Sequence, residues 1–347
     1  MSKSYGGVIA LDGVTLEAGV HEYMSLLGPS GSGKTTLLRV IAGFEVPDKG
    51  RVYFDGRDIT DLPAHQRGIG FVFQNFALFP HLTVRKNVAF GLMNGQAVVS
   101  PSEIDARCQA VIDMVGLAGL EDRGVDQISG GQRQRVALAR TLVMEPKLVL
   151  LDEPLGALDA NLRGRMRNEL RAIRERMGVT FLHVTGSETE ALSMGDSVVV
   201  LDRGRIIQAG TPDDVYSTPA NPSVAHFLNR FNLFDGMLSG GNFTGPFGTV
   251  AASHALGAKE DVYAIRYDRL RVQDLSTPVT GPALKATYVA SEYLGSSVMN
   301  FFETADDKVV EVEHHLSLGA PETYEPRQDY LLTWNPEQAI VFGREAT

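Results

Sequence analysis

The run Gly28-Pro29-Ser30-Gly31-Ser32-Gly33-Lys34-Thr35-Thr36 has the residue types and spacing of a phosphate cradle. Glycines let the backbone close around phosphate oxygens, so that successive N–H groups and the start of the following helix face negative charge. Gly28, Ser30, Gly31, Ser32, Gly33, Lys34, Thr35 and Thr36 are therefore the candidate phosphate contacts. Lys34 would neutralise the terminal phosphates and act in catalysis, and Thr35 would offer a hydroxyl to Mg²⁺. A second acidic element completes this chemistry: the apolar run Leu148-Val149-Leu150-Leu151 ends in Asp152-Glu153. Asp152 is the candidate metal ligand, and Glu153 the general base that would polarise an attacking water. Nucleotide binding with phosphate-bond hydrolysis is the chemistry these groups could perform together.

Groups so far apart in sequence need a scaffold that brings strand ends together. Met24-Ser25-Leu26-Leu27 precedes the cradle as a short strand, and Thr36–Ala42 follows with helical spacing that stops at Gly43. Through residue 230, β-like runs (Val52–Phe54, Gly70–Phe73, Leu148–Leu151, Thr180–Val184, Val198–Leu201) alternate with helical ones, which predicts an α/β layer on a largely parallel sheet. Between about 82 and 140 the strand signal gives way to helical periodicity, and a helical subdomain inserted in the sheet domain is expected there. After about 231 short alternating segments recur, as in Val262–Ile265 and Val298–Phe302, and predict a small barrel-like β-domain over 232–347.

The chain of 347 residues is 44% apolar and 21% charged, enough for two cores. Its net charge of −10 argues against a nucleic-acid partner, which would need a basic face. No run approaches the roughly 18 apolar residues of a membrane span, and Met1–Gly7 has no signal-peptide core. The lone Cys108 lies in a helical stretch and is expected only to pack, and the adjacent His314 and His315 would point to opposite faces of a strand and hold no metal.

Residues Ile128-Ser129-Gly130-Gly131-Gln132, followed by Arg133–Arg140, resemble the signature motif of the ATP-binding cassette (ABC) family, with Ile128 in place of the usual Leu. Ser129, Gly130, Gly131 and Gln132 would present donors to a γ-phosphate at a helix start. The resemblance implies further roles: Tyr5 as the aromatic that stacks on adenine, Gln74 as the Q-loop glutamine touching Mg²⁺ and reporting to membrane subunits, and Ala77–Thr83 as part of a groove for a coupling helix. Ala157-Leu158-Asp159 resembles the D-loop. The implied fold is a P-loop NTPase (RecA-like) α/β core over 1–231 with the inserted helical subdomain, followed by an all-β OB-fold-like regulatory domain. The implied assembly is a head-to-tail homodimer, or a pair with another ATPase subunit, binding ATP and Mg²⁺ at the cytoplasmic face of a bacterial inner membrane. Two transmembrane permease subunits and, indirectly, an extracytoplasmic solute-binding protein would be its partners.

Two features depart from the family pattern. The switch histidine is replaced by Gly186, and His183 stands three residues earlier inside a strand, where it could not substitute without a register change. Slow hydrolysis, or a nucleotide-gated clamp, is the resulting expectation. Family members also carry a β-strand ahead of the segment resembling Ser2–Gly6, so either the start lies upstream or an edge strand is absent. The C-terminal pieces Ala264–Leu270, Val289–Gly295 and Leu331–Pro336 resemble the module appended to import-type ATPases. Segments 57–63, 75–81 and 229–236 look most similar to spermidine/putrescine importers, which orders the expected cargo as polyamine, then sugar or glycerol phosphate, then ferric iron.

Overall fold

The computed structural model describes residues 1–347 except 96–97, 157–159, 229, 254, 321 and 344–347, and no side chain at 160–162. The D-loop candidate Ala157-Leu158-Asp159 lies outside the described residues. The chain divides into two compact units, Met1–Tyr216 and Ser217–Thr347.

In the first unit, strands β1 (Lys3–Tyr5) and β2 (Val8–Leu11) form an antiparallel hairpin. Next come β3 (Tyr23–Leu27), α1 (Lys34–Ala42), β4 (Tyr53–Phe54), β5 (Arg57–Asp58) and β6 (Ile69–Val72). The helices α2 (Val84–Asn94), α3 (Pro101–Met114) and α4 (Gly130–Leu142) follow without an intervening strand of the main sheet. The unit ends with β7 (Leu148–Asp152), α5 (Ala160–Met177), β8 (Thr180–Thr185), α6 (Glu188–Met194), β9 (Ser197–Asp202) and β10 (Arg205–Gly210). The main sheet has the order β10-β9-β3-β8-β7-β6, with every neighbour parallel except the antiparallel edge pair β10–β9.

Both faces of this sheet are covered, which is why its strands read as continuous apolar runs. Met24, Leu26, Leu150, Leu182 and Val184 pack with Leu37 and Leu38 of α1 on one face. Tyr23, Val149, Leu151 and Phe181 pack with Val136, Leu170 and other residues of α4 and α5 on the other. The expected strand at Val52–Phe54 is instead half of a separate two-stranded ribbon, β4–β5. Asp55 (φ 49°) and Gly56 (φ 75°) turn the chain back there, the paired positive φ angles of a tight hairpin loop for which Asp-Gly is favoured. Cys108 is a free, buried thiol of α3.

The short helix α7 (Pro212–Ser217) spans the division between the units. The second unit begins earlier than residue 231 because α8 (Pro222–Phe227) packs on β11 (Phe231–Asp235) and on a later strand of the same unit. Beyond β11 lie β12 (Met237–Ser239), β13 (Asn242–Gly245), β14 (Gly248–Ala251), β15 (Ala255–Gly257), β16 (Val262–Arg266), β17 (Arg271–Gln273), β18 (Ala283–Tyr293), β19 (Ser297–Glu303), β20 (Val309–His315), β21 (Asp329–Thr333) and β22 (Ile340–Gly343). They form sheets of order β11-β16-β22-β15, β12-β13-β14 and β17-β21-β18-β19-β20. One apolar core joins residues of all three, including Phe234, Phe243, Tyr263, Phe302 and Trp334. This is the OB-like all-β domain expected from the texture of the sequence.

Candidate nucleotide site

The cradle is built where β3 ends and α1 begins. A Cβ at Gly28 would overlap the Leu201 carbonyl oxygen, and Gly33, at φ 103°, lies against the Ala10 carbonyl of β2, so neither position accepts a side chain. Gly33 is also the N-cap of α1 and supplies no side-chain acceptor, which leaves the first N–H groups of that helix open to a ligand. Lys34 is buried and folds back, its Nζ donating to the carbonyls of Gly28 (2.8 Å) and Pro29 (2.9 Å). Burial lowers the Lys34 pKa, while Glu153 and Asp152 work in the opposite direction. A phosphate entering here offers the ammonium a better partner than two carbonyls.

The acidic pair lies at the end of β7, separated from β3 by β8. Thr35 Oγ1 donates to Asp152 Oδ1 at 3.0 Å, and burial raises the Asp152 carboxyl pKa against the opposing hydrogen bond from Thr35 and the charges of Arg39 and Lys34. A hydroxyl and a carboxylate at this spacing are hard oxygen donors of the kind Mg²⁺ takes when phosphate and water complete its octahedron. The residues thus fit a Mg²⁺–phosphate complex, with Thr35 and Asp152 as its holders. Glu153 adopts φ 44°, a left-handed backbone rare for a residue with a side chain, and its N–H donates to Val184 O at 3.0 Å. Gln74 Nε2 donates to Glu153 Oε2 at 3.0 Å. Lys34, Thr35, Asp152, Glu153 and Gln74 are therefore linked in one cluster, although they come from three widely separated segments.

The structure places the remaining candidates elsewhere. Ser30 and Gly31 are exposed on the loop, Thr36 is half-buried in α1, and Ser32 is buried with its hydroxyl unpartnered. Ser129 caps α4: Gln132 N–H donates to its Oγ at 3.3 Å, and Ser129 N–H donates back to Gln132 Oε1 at 2.8 Å. Ile128 and Gly131 are buried while Ser129 is exposed, and Gly130 and Gly131 open the helix. Tyr5 is 42% exposed on β1 with Lys3 Nζ over its ring, in the hairpin whose second strand abuts the cradle at Ala10.

Two residues without an assigned role organise the Gln74 loop. Phe76 (φ 63°) and Ala77 (φ 46°) are both left-handed, and Arg140 at the end of α4 donates to the carbonyls of Phe76 (2.9 Å) and Ala77 (2.7 Å). Asn87 of α2, fully buried, accepts from Phe79 N–H and donates to the carbonyls of Phe79, Leu82 and Thr83. The loop that carries Gln74 is thus pinned from the helical subdomain.

Gly186 is exposed just beyond β8, and a Cβ there would meet nothing within 4 Å. His183 is fully buried in β8, on the face with Phe181 and edge-on to Tyr23 at 5.9 Å. Among the described residues neither ring nitrogen has a hydrogen-bond partner, and burial pushes its pKa down to about 3, so the 3.8 Å approach to Glu190 is a contact with neutral imidazole. It faces away from α1 and cannot replace a histidine at 186.

Comparison with known proteins settles the family. Residues 11–156 match the ABC transporter model, and residues 263–342 match the TOBE domain model. The chain is 46% identical over 295 residues to the sulfate/thiosulfate import ATP-binding protein CysA of Caulobacter vibrioides, covering 81% of this chain and 87% of the relative. It belongs to the ABC transporter ATP-binding family. This ABC ATPase is also 49% identical over 239 residues to the spermidine/putrescine import ATP-binding protein PotA of Clostridioides difficile, covering 69% of this chain and 68% of that one. Among solved structures, the post-hydrolysis dimer of the cassette MJ0796 bound to ADP and Pi matches with a TM-score of 0.55 at 32% identity, covering 61% of this chain and 95% of that chain. The family performs ATP hydrolysis, and the ABC ATPase described here carries the fold and domain order that go with it. No described helix is long and apolar enough to cross a membrane.

Proposed function

We propose that this protein is the ATP-hydrolysing subunit of an ABC importer, working beneath two transmembrane permease subunits at the cytoplasmic face of the bacterial inner membrane. The observation that carries this reading is a division of labour on one chain. The cradle gathers Lys34, Thr35, Asp152, Glu153 and Gln74, whereas the exposed Ser129 and the half-buried Gln132 cap each other at the start of α4, outside that cluster. Two copies arranged head to tail would present the turn of one to the ATP held by the other. Lys34 and the open α1 N–H groups bind the phosphates, Thr35 and Asp152 hold Mg²⁺, Glu153 takes a proton from the attacking water, and Gln74 orients Glu153. Binding energy gained only in the closed dimer supplies the work of moving the permease.

The membrane partner seats on apolar surface around the Gln74 loop. Phe79 stacks on the exposed Phe90 at 4.2 Å, and Met93 and Met144 are also exposed. The pinned loop offers a mechanical link from that surface to Glu153. Segments 57–63, 75–81 and 229–236 support a polyamine cargo, in line with the PotA relatives. A sulfate or thiosulfate cargo is the second reading, favoured by the longer stretch of this chain that aligns with CysA. Gly186 supports a low turnover, with ATP acting mainly as a clamp.

The head-to-tail site is tested by complementation. Lys34→Ala and Ser129→Arg should each abolish hydrolysis alone. Mixed, they form dimers in which one site has both halves native, so activity should return to at most about a quarter of the native value. No recovery, with mixed dimers present by light scattering, would sink the proposal.

A further inference from the structure

The C-terminal unit contains a polar pocket of about 340 Å³ lined by Arg269, Arg271, Gln273, Asn335, Gln338 and Trp334, among others, with no carboxylate in its lining. That is unusual placement for two guanidiniums in a chain of net charge −10. Arg271 and Gln273 alternate with Val272 on β17, and the register Arg271↔Thr333, Gln273↔Leu331 fixes them against β21. Val272 packs on the domain core, which sends its two neighbours to the opposite, pocket side. Among the described residues Arg271 has no acidic partner. Arg269 reaches Asp268 only at 3.8 Å, and that carboxylate is already held by Arg266 through two 2.9 Å hydrogen bonds.

The walls are fixed before any ligand arrives. Trp334 Nε1 donates to Tyr263 Oη at 2.9 Å, and both rings lie in the core. The loop closing the far side carries Pro278 and Pro282, with Gly281 at φ 130° where L side chains rarely fit. A preformed concavity with paired cations and side-chain amides satisfies the usual requirements of a small-molecule site.

We infer that this pocket binds a small organic anion, whose carboxylate or phosphate head sits on Arg269 and Arg271 and whose hydroxylated body hydrogen-bonds Gln273, Asn335 and Gln338 beside Trp334. The volume exceeds that of a bare tetrahedral oxyanion, and the amides can serve only a ligand with hydrogen-bonding atoms beyond its head. Guanidiniums favour planar carboxylate and phosphate alike through paired N–H donors. The site lies within the C-terminal unit and would let a metabolite act on the ATPase without touching the nucleotide cluster.

The chain has one tryptophan, Trp334, whose residue borders the pocket while its ring lies in the adjoining core, so its fluorescence reports on this unit. The full-length protein is titrated with citrate and with glucose 6-phosphate at constant ionic strength, with chloride and sulfate as controls and calorimetry in parallel. A saturable response to either organic anion that weakens tenfold or more in Arg271→Gln, and is partly restored in Arg271→Lys, supports the assignment. Citrate responding alone identifies a carboxylate head, and glucose 6-phosphate alone a phosphate head. No saturable signal by either method overturns it, as does a response that sulfate or chloride reproduces in full or that Arg271→Gln leaves unchanged. If Arg271→Gln alters the native circular dichroism, Gln338→Ala takes its place under the same criteria.

Discussion

Replacing Gly186 by histidine should raise the rate of ATP hydrolysis, and the structure supplies the terms of that expectation. Gly186 follows Thr185 at the end of β8, and Val184 of the same strand is held to the catalytic segment by the hydrogen bond from Glu153 N–H. Position 186 therefore lies two residues beyond the one that anchors Glu153. A Cβ there meets nothing within 4 Å among the described residues, and the backbone is not left-handed, so the backbone accepts a side chain. The flanks are already fixed: Thr185 Oγ1 donates to Glu190 at 2.8 Å and accepts from Ser187 N–H at 3.0 Å. An imidazole added to this frame supplies one preorganised contact to the γ-phosphate or the attacking water. Such a contact is worth on the order of 10²-fold in rate, or about 2.7 kcal/mol. Steady-state Mg-ATP hydrolysis of native protein, Gly186→His and the dead control Glu153→Gln, with ATP binding verified in each, measures it. A gain of tenfold or more is expected. Native and Gly186→His turning over alike, both well above the control, would refute the reasoning and mean that another group already performs the task.

Other perturbations test separate parts of the account. Arg140→Leu removes two charge-assisted hydrogen bonds from the left-handed carbonyls at 76 and 77, worth about 1.5–3 kcal/mol each, and should cut turnover several-fold with ATP affinity little changed; equal kcat values would show that the pin is dispensable. Because burial depresses the His183 pKa to about 3, the unfolded chain binds a proton below its ordinary 6.5 that the folded chain refuses. Stability from this group is complete above pH 6.5 and declines as pH falls toward 3, by about 2 kcal/mol at pH 5; urea unfolding should show that His183→Leu loses this part of the acid sensitivity. Cys108 is buried and burial raises its thiol pKa, so a thiol reagent should label it only as fast as the chain opens, with rapid labelling of native protein contradicting its packing in α3. Thr35→Val should weaken Mg²⁺-dependent nucleotide binding at least tenfold while leaving metal-free binding nearly intact, since the hydroxyl paired with Asp152 is the group removed.

The legibility of the chain followed the range of its interactions. The cradle was readable because the residues it needs are contiguous: positive φ at Gly31 and Gly33 and the bare backbone at Gly28, which lies against Leu201 O, fall within one short run. The strand residues flanking it were readable for a different reason, since a sheet buried on both faces leaves only apolar side chains admissible. Alternation also placed His183 correctly, because its position in β8 fixes its face before any coordinate is known. The β4–β5 ribbon was misjudged although Asp55-Gly56 carried the turn signal, because the aromatic run beside it reads equally well as a sheet strand. Arg140 and Asn87 were not readable at all. An arginine at a helix end ordinarily meets solvent, and nothing in its neighbours reveals that its donors reach carbonyls more than 60 residues earlier.

That hidden layer explains how strain can be maintained around the chemistry. Glu153, Phe76 and Ala77 all hold left-handed backbone at a cost of order 1–3 kcal/mol each, and each is held by a bond from another segment: Val184 O for Glu153, Arg140 for the other two. Gln74 joins the two strained segments through Glu153. A shift of α4 or α2, which carry Arg140 and Asn87, should therefore relax or tighten the Gln74–Glu153 contact, because these two side chains hold the loop between them. In a machine driven by a partner pressing on the Phe79–Phe90 surface, that makes the distance between Gln74 Nε2 and Glu153 Oε2 the coordinate along which docking and hydrolysis are coupled.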